Sequence, residues 1–150
     1  RRLRLVPVAV AVIERRGRYL ISRRRASDHL GGYWEFPGGK RRVGEPWEAC
    51  LKRELREELG ITVEPTGRLS PIRFRYTDRQ VYLEVFRCRI TAGVPTPLGC
   101  QEVRWVRTAR LRRYRFPPAD RELIAMLSTQ QLGCGVLARG KRRPRRPSAS

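Results

Sequence analysis

Residues 38–61 read GGKRRVGEPWEACLKRELREELGI. Five of the chain's fourteen carboxylates stand here, interleaved with six basic residues. The stretch from Pro46 to Leu59 has a helical pattern, with a proline suited to the first position and Gly60 suited to the residue just past the end. On such a helix Leu51, Leu55 and Leu59 form a stripe facing a core. Glu54, Glu57 and Glu58, offset by three and four, share another face. Three like charges on one face repel. Either solvent and i,i+4 partners such as Arg53 with Glu57 quench that repulsion, or a hard divalent cation does. Mg2+ takes oxygen ligands while keeping waters and substrate phosphates. Gly38-Gly39 lets the backbone turn tightly against a ligand, and Glu45 places negative charge at the helix N-terminus.

Outward from this helix, Val6 to Ile13 is apolar and β-branched and reads as a buried strand. Arg15 to Arg18 is a turn, and Tyr19 to Ser22 returns as a second strand. Ser27 to Tyr33 is a loop carrying the only histidine, His29. Beyond the helix, Arg68 to Tyr76 and Gln80 to Ile90 read as paired strands around Thr77-Asp78-Arg79. Val103 to Val106 is a short strand, and Pro118 to Leu132 is a second helix with Leu123, Ile124 and Leu127 on its buried side. Strands alternating with two helices indicate an α/β protein with a mixed sheet.

A chain of 150 residues with 40% apolar content suits one folded domain. Residues 1–135 are assigned to it. Residues 136–150 are read as a basic tail without fixed structure, because RGKRRPRRPSAS carries six positive charges and no apolar pattern. No apolar run is long enough to span a bilayer, and the amino end lacks the layout of a signal peptide. The chain opens on Arg1 rather than methionine, as a trimmed or partial chain would. The net charge of +20 rests almost wholly on arginine. Such a charge steers nucleotides or nucleic acid towards the protein, and codon bias towards arginine would produce it equally. Four cysteines without CxxC or metal-ligand spacing fit reduced thiols of a cytoplasmic protein.

Gly39, five residues, Glu45, seven residues, then Arg53-Glu54-Leu55, one residue, Glu57-Glu58, one residue and Gly60-Ile61 resembles the complete signature of the Nudix hydrolases. Arg23-Arg24, Asp28-His29, Glu35-Phe36-Pro37-Gly38-Gly39-Lys40 and Phe116-Pro117-Pro118-Ala119-Asp120 resemble its MutT-type branch, which sanitises oxidised nucleoside triphosphates. The resemblance covers about residues 5–130 and leaves the tail without a counterpart. It implies an α/β/α sandwich with a mixed sheet and a loop–helix–loop metal site. It also implies Mg2+- or Mn2+-dependent hydrolysis of a nucleoside triphosphate to the monophosphate and pyrophosphate. By the same resemblance Glu54, Glu57 and Glu58 bind the metal with the carbonyl of Gly39 or Gly38, and Arg53 and Glu45 brace them.

Arg24, Phe36 and Asp120 are implied as nucleotide contacts, with Arg79 closing over the substrate. Asp120 departs from the asparagine of the best-known oxidised-guanine member and matches relatives preferring cytidine nucleotides. An ionised Asp only accepts hydrogen bonds, whereas Asn offers both kinds. A second departure is Gly99-Cys100-Gln101-Glu102-Val103-Arg104-Trp105. Aligned on Gln101 and Trp105, Gly99 occupies the place of a catalytic loop glutamate. Glu102 swinging in, a box glutamate such as Glu57 acting as base, or nucleotide binding with low turnover would each accommodate it.

The expectation is thus a monomeric pyrophosphohydrolase of nucleotide-pool sanitation, acting on 8-oxo-dGTP. Cytidine nucleotides or 5′-triphosphorylated RNA are the alternative substrates. A nucleic-acid-associated module that binds phosphates through its basic tail is the alternative class.

Overall fold

The apolar run near the amino end becomes β1 (Arg4–Arg15). β2 (Arg18–Arg23) returns antiparallel to it through a turn in which Arg16 and Gly17 both take positive φ. This computed structural model describes residues 2–139, with side chains through Thr129. Next come β3 (Trp34–Glu35), β4 (Gly38–Lys40), α1 (Trp47–Leu59), β5 (Thr62–Arg68) and β6 (Ile72–Arg75). β7 (Arg79–Ala92), β8 (Glu102–Arg107), a short α2 (Thr108–Leu111) and α3 (Pro118–Arg139) complete the order.

The sheet runs β3-β2-β1-β7-β5, with β4 joining β1, β6 joining β7 and β8 joining β2. β1 and β7 are parallel, from Arg4 opposite Arg79 to Ile13 opposite Cys88, and the other pairs are antiparallel. β1 reads as a continuous apolar run because both of its faces are covered. Val10 and Val12 face α3 residues Leu123, Ile124 and Leu127. Ala9, Ala11 and Ile13 face α1 residues Leu51, Leu55 and Leu59. The result is the expected α/β/α sandwich on a mixed sheet. The three α1 leucines are fully buried and contribute roughly 2 kcal/mol apiece.

Four local expectations change. Pro46 precedes α1 rather than opening it. Its backbone is extended, at φ −60° and ψ 145°, and its carbonyl accepts the N–H of Cys50. β5 is an additional strand, hidden in sequence by Pro65 and Gly67. Both stand where its register against β7 shifts, and bulges tolerate these residues. The expected strand from Arg68 is divided, since Arg68 ends β5 and β6 starts at Ile72. α3 extends beyond Leu132 to residue 139, and the rest of the basic tail, residues 140–150, lies outside the described residues.

Candidate functional site

Arg53 organises the carboxylates of α1. Its Nε donates to Glu45 Oε2 at 2.8 Å and its Nη2 to Glu45 Oε1 at 2.9 Å, a bidentate pair. Nη1 reaches Glu54 Oε1 at 2.8 Å and Glu57 Oε2 at 3.3 Å, while Nη2 also reaches the Lys40 carbonyl at 3.1 Å. One guanidinium thus ties the loop before the helix to three acidic side chains. Its hydrogen bonds hold the Glu45 carboxyl down at about 2.

Gly60 closes the helix at φ 66°, donating its N–H to the Arg56 carbonyl. At the other end, Gly39 lies flat against Glu54. A Cβ on Gly39 would stand 2.2 Å from both Cδ and Oε2 of Glu54, so only glycine leaves room for that carboxylate. Gly38 is equally confined, since a Cβ there would stand 1.9 Å from the Ala9 carbonyl oxygen.

These groups open onto a cleft of about 560 Å³. Gly39, Glu54 and Glu58 are among the residues that line it, as are Arg24, Phe36, Arg79 and Asp120. Glu58 is pushed up to about 8, first by burial and then by the negative charges of Glu35 and Glu54. Its Oε2 is buried with no hydrogen-bond partner. An unpaired buried oxygen is costly, and a hard cation is the partner its chemistry fits. Among the described residues, no three carboxylate, thiol or imidazole groups converge on a point that would hold a metal unaided.

Among the other lining residues, Arg24 donates to Glu35 Oε2 at 3.0 Å and to the His29 carbonyl at 2.7 Å. Phe36 stacks on Phe116 with ring centroids 5.6 Å apart. Asp120 lies in the first turn of α3, and its carboxyl accepts the backbone N–H of Phe36. Burial, aided by the Glu35 charge, raises it to about 8. Arg79 lies over the Tyr76 ring at 4.8 Å, and the Tyr76 hydroxyl accepts the Ala119 N–H at 3.3 Å.

Glu35 and Tyr76 were not assigned roles from sequence. Glu35 was visible only as the neighbour of Phe36, and the cross-chain contact of Tyr76 carries no local signal. Glu57 and Glu45 do not line the cleft. Glu57 is exposed and bonded to Arg53. Glu102 does not line it either, because its carboxylate is engaged by Arg23 and Arg104, each at 3.3 Å. Gly99 instead lies beside Glu58, where an added Cβ would meet Glu58 Cα at 3.1 Å.

The family model described as "NUDIX domain" matches residues 8–126. The chain is 32% identical over 126 residues to the 8-oxo-dGTP diphosphatase of Escherichia coli (strain K12), spanning 83% of this chain and 98% of that one. It is 30% identical over 122 residues to the CTP pyrophosphohydrolase of the same organism, spanning 81% and 90%. The MutT protein from Methanosarcina mazei Go1 superposes with a TM-score of 0.77 at 24% identity, over 86% of this chain and 96% of that one.

Proposed function

The chain belongs to the Nudix hydrolase family, and from that premise we propose that it converts an oxidised nucleoside triphosphate such as 8-oxo-dGTP to the monophosphate and pyrophosphate with Mg2+ or Mn2+. The observation that supports this best is the single cleft that joins Gly39, Glu54 and Glu58 to Arg24, Phe36, Arg79 and Asp120.

Glu54, Glu57 and Glu58, with the Gly39 carbonyl, would hold the cation. When bound, such a cation neutralises phosphate charge and lowers the pKa of a coordinated water. Arg53 and Glu45 keep the helix carboxylates aimed, and phosphoryl transfer depends chiefly on such positioning. Arg24 and Arg79 bring positive charge to the polyphosphate. Phe36 offers a ring face to the base. Glu102 lies outside the cleft and is held by Arg23 and Arg104, so the reading leaves the proton-accepting role to a glutamate of α1.

Asp120 supports an oxidised purine once its environment is considered. A carboxyl raised to about 8 stays protonated at neutral pH, so it donates as well as accepts, as an Asn would. A second reading, a cytidine nucleotide, is favoured by the carboxyl itself and by the similarity to a CTP pyrophosphohydrolase. The test is pyrophosphate release with Mg2+ from 8-oxo-dGTP, dGTP, CTP, dCTP and a 5′-triphosphorylated RNA. Preference for 8-oxo-dGTP supports sanitation, and preference for CTP or dCTP supports the second reading. No turnover of any, with nucleotide still bound, would replace hydrolysis by binding.

A further inference from the structure

From Arg104 to Phe116 the chain places six arginines and no carboxylate in thirteen residues. They run along β8, α2 and the loop into α3. Arg107, Arg110, Arg112, Arg113 and Arg115 are exposed, as are Arg18 on the paired strand and Arg121 on α3. None of these forms an ion pair among the described residues. Arg23, Arg24, Arg53, Arg68 and Arg79 elsewhere all have carboxylate partners. Concentrated like charge without counter-charge raises the energy of the free protein, and an anionic partner would lower it.

The face is also grooved. One hollow of about 430 Å³ is lined by Arg18, Trp105, Arg107, Arg110 and Tyr114. A second, of about 470 Å³, is lined by Arg112, Tyr114, Arg115 and Arg121 together with apolar groups. Tyr114 forms part of both walls, so the two hollows adjoin. Tyr114 is fixed edge-on against Trp34 with centroids 5.2 Å apart, and Arg104 lies over the Trp34 ring at 5.1 Å. Arg115 lies over Tyr33 at 4.2 Å. Arg104 and Arg115 thus stack on rings that border the hollows.

Guanidinium groups spaced along a groove, with half-buried aromatic rings between them, suit a flexible polyanion that carries planar bases. Phosphates meet the arginines, and unstacked bases meet the rings. We propose that this face binds single-stranded nucleic acid without sequence preference. It is a surface separate from the nucleotide cleft. Phe116 stands between them, contributing to the second hollow and stacking on Phe36 of the cleft.

The test is fluorescence anisotropy of the full chain with a labelled twenty-nucleotide oligo(dT) across a salt series. A triple variant, Arg107→Glu with Arg110→Glu and Arg112→Glu, is compared with an equally charged control, Arg56→Glu with Arg75→Glu and Arg89→Glu. The face variant is expected to lose about tenfold or more in affinity, with a salt slope smaller by about 2, and the control to lose no more than about threefold. Tyr114→Ala should weaken the single strand more than a duplex of the same length. Arg112→Glu alone, in the loop after α2, should cost about threefold and serves if the triple variant does not fold. Equal losses in face and control variants would overturn the proposal. So would no effect of Tyr114→Ala, or tighter binding to phosphatidylserine vesicles than to oligo(dT).

Discussion

The backbone N–H of Gly99 donates to the carbonyl oxygen of Glu58 at 2.9 Å. The N–H of Leu98 reaches the same oxygen at 3.0 Å, and that of Thr96 reaches the Leu59 carbonyl at 3.0 Å. The loop therefore satisfies the last carbonyls of α1, and position 99 is pressed against the helix that carries Glu54, Glu57 and Glu58. A side chain there would emerge beside Glu58, at contacts of 3.1 to 3.5 Å, so α1 must give by a few tenths of an ångström to admit it. Gly99→Glu should bring a carboxylate to the cleft and raise metal-dependent turnover by about tenfold or more. Steady-state kinetics with Mg2+ measures this. An unchanged kcat in a folded variant would mean that the chain works without a loop carboxylate.

Arg53 is expected to be irreplaceable by lysine. A single ammonium cannot reproduce the bidentate grip on Glu45 while also reaching Glu54 and Glu57. Arg53→Lys should lower kcat by about a hundredfold, and Arg53→Ala should cost about 2–4 kcal/mol of stability. Chemical denaturation and turnover assays read the two effects separately. A lysine variant at full rate would remove the positioning role.

Gly39→Ala should preserve the fold and damage the site. The atom that an added methyl meets is the far end of the Glu54 side chain, which can swing away. The expected result is a nearly unchanged Tm with a large fall in cation affinity, measured by isothermal titration with Mn2+. A variant that binds Mn2+ normally would show that Glu54 does not need its present position.

Asp120 gives a pH signature. Its folded value of about 8 lies above its ordinary 3.8, so between those limits the native state holds a proton that the unfolded state has released. Stability therefore falls as pH rises through that window. Asp120→Asn should flatten that part of the stability curve. If the protonated carboxyl donates to the base, KM for the preferred nucleotide should also rise above about pH 8 in the parent and stay level in the variant. Parallel profiles for both proteins would deny Asp120 the base contact.

The candidate site was more legible in the sequence than its surroundings. Glu54, Glu58 and Gly39 could be located because helical spacing and a fixed string of residues act over short distances. Arg24, Phe36, Arg79 and Asp120 came from resemblance alone, and only folding shows them lining one cleft. The Arg24–Glu35 pair and the contact between Tyr76 and Ala119 depend on which strands meet, and no local pattern encodes them. β5 escaped notice because Pro65 and Gly67 argue against a strand unless the bulge they occupy is known. Glu102 seemed able to reach the reaction from its sequence position, but pairing of β8 with β2 sets Glu102 opposite Arg23, whose guanidinium binds it.

The parallel ladder between β1 and β7 also bears on how the protein forms. Its first strand leaves the ribosome long before its partner, since Arg4 pairs with Arg79 and Ile13 with Cys88. Until then the apolar run of β1 has no neighbour on that side and is open to misassociation. Closing so long a loop is slow, as in other proteins dominated by distant contacts. The cleft, which draws residues from β1, β7 and the start of α3, is therefore one of the last features to assemble during synthesis.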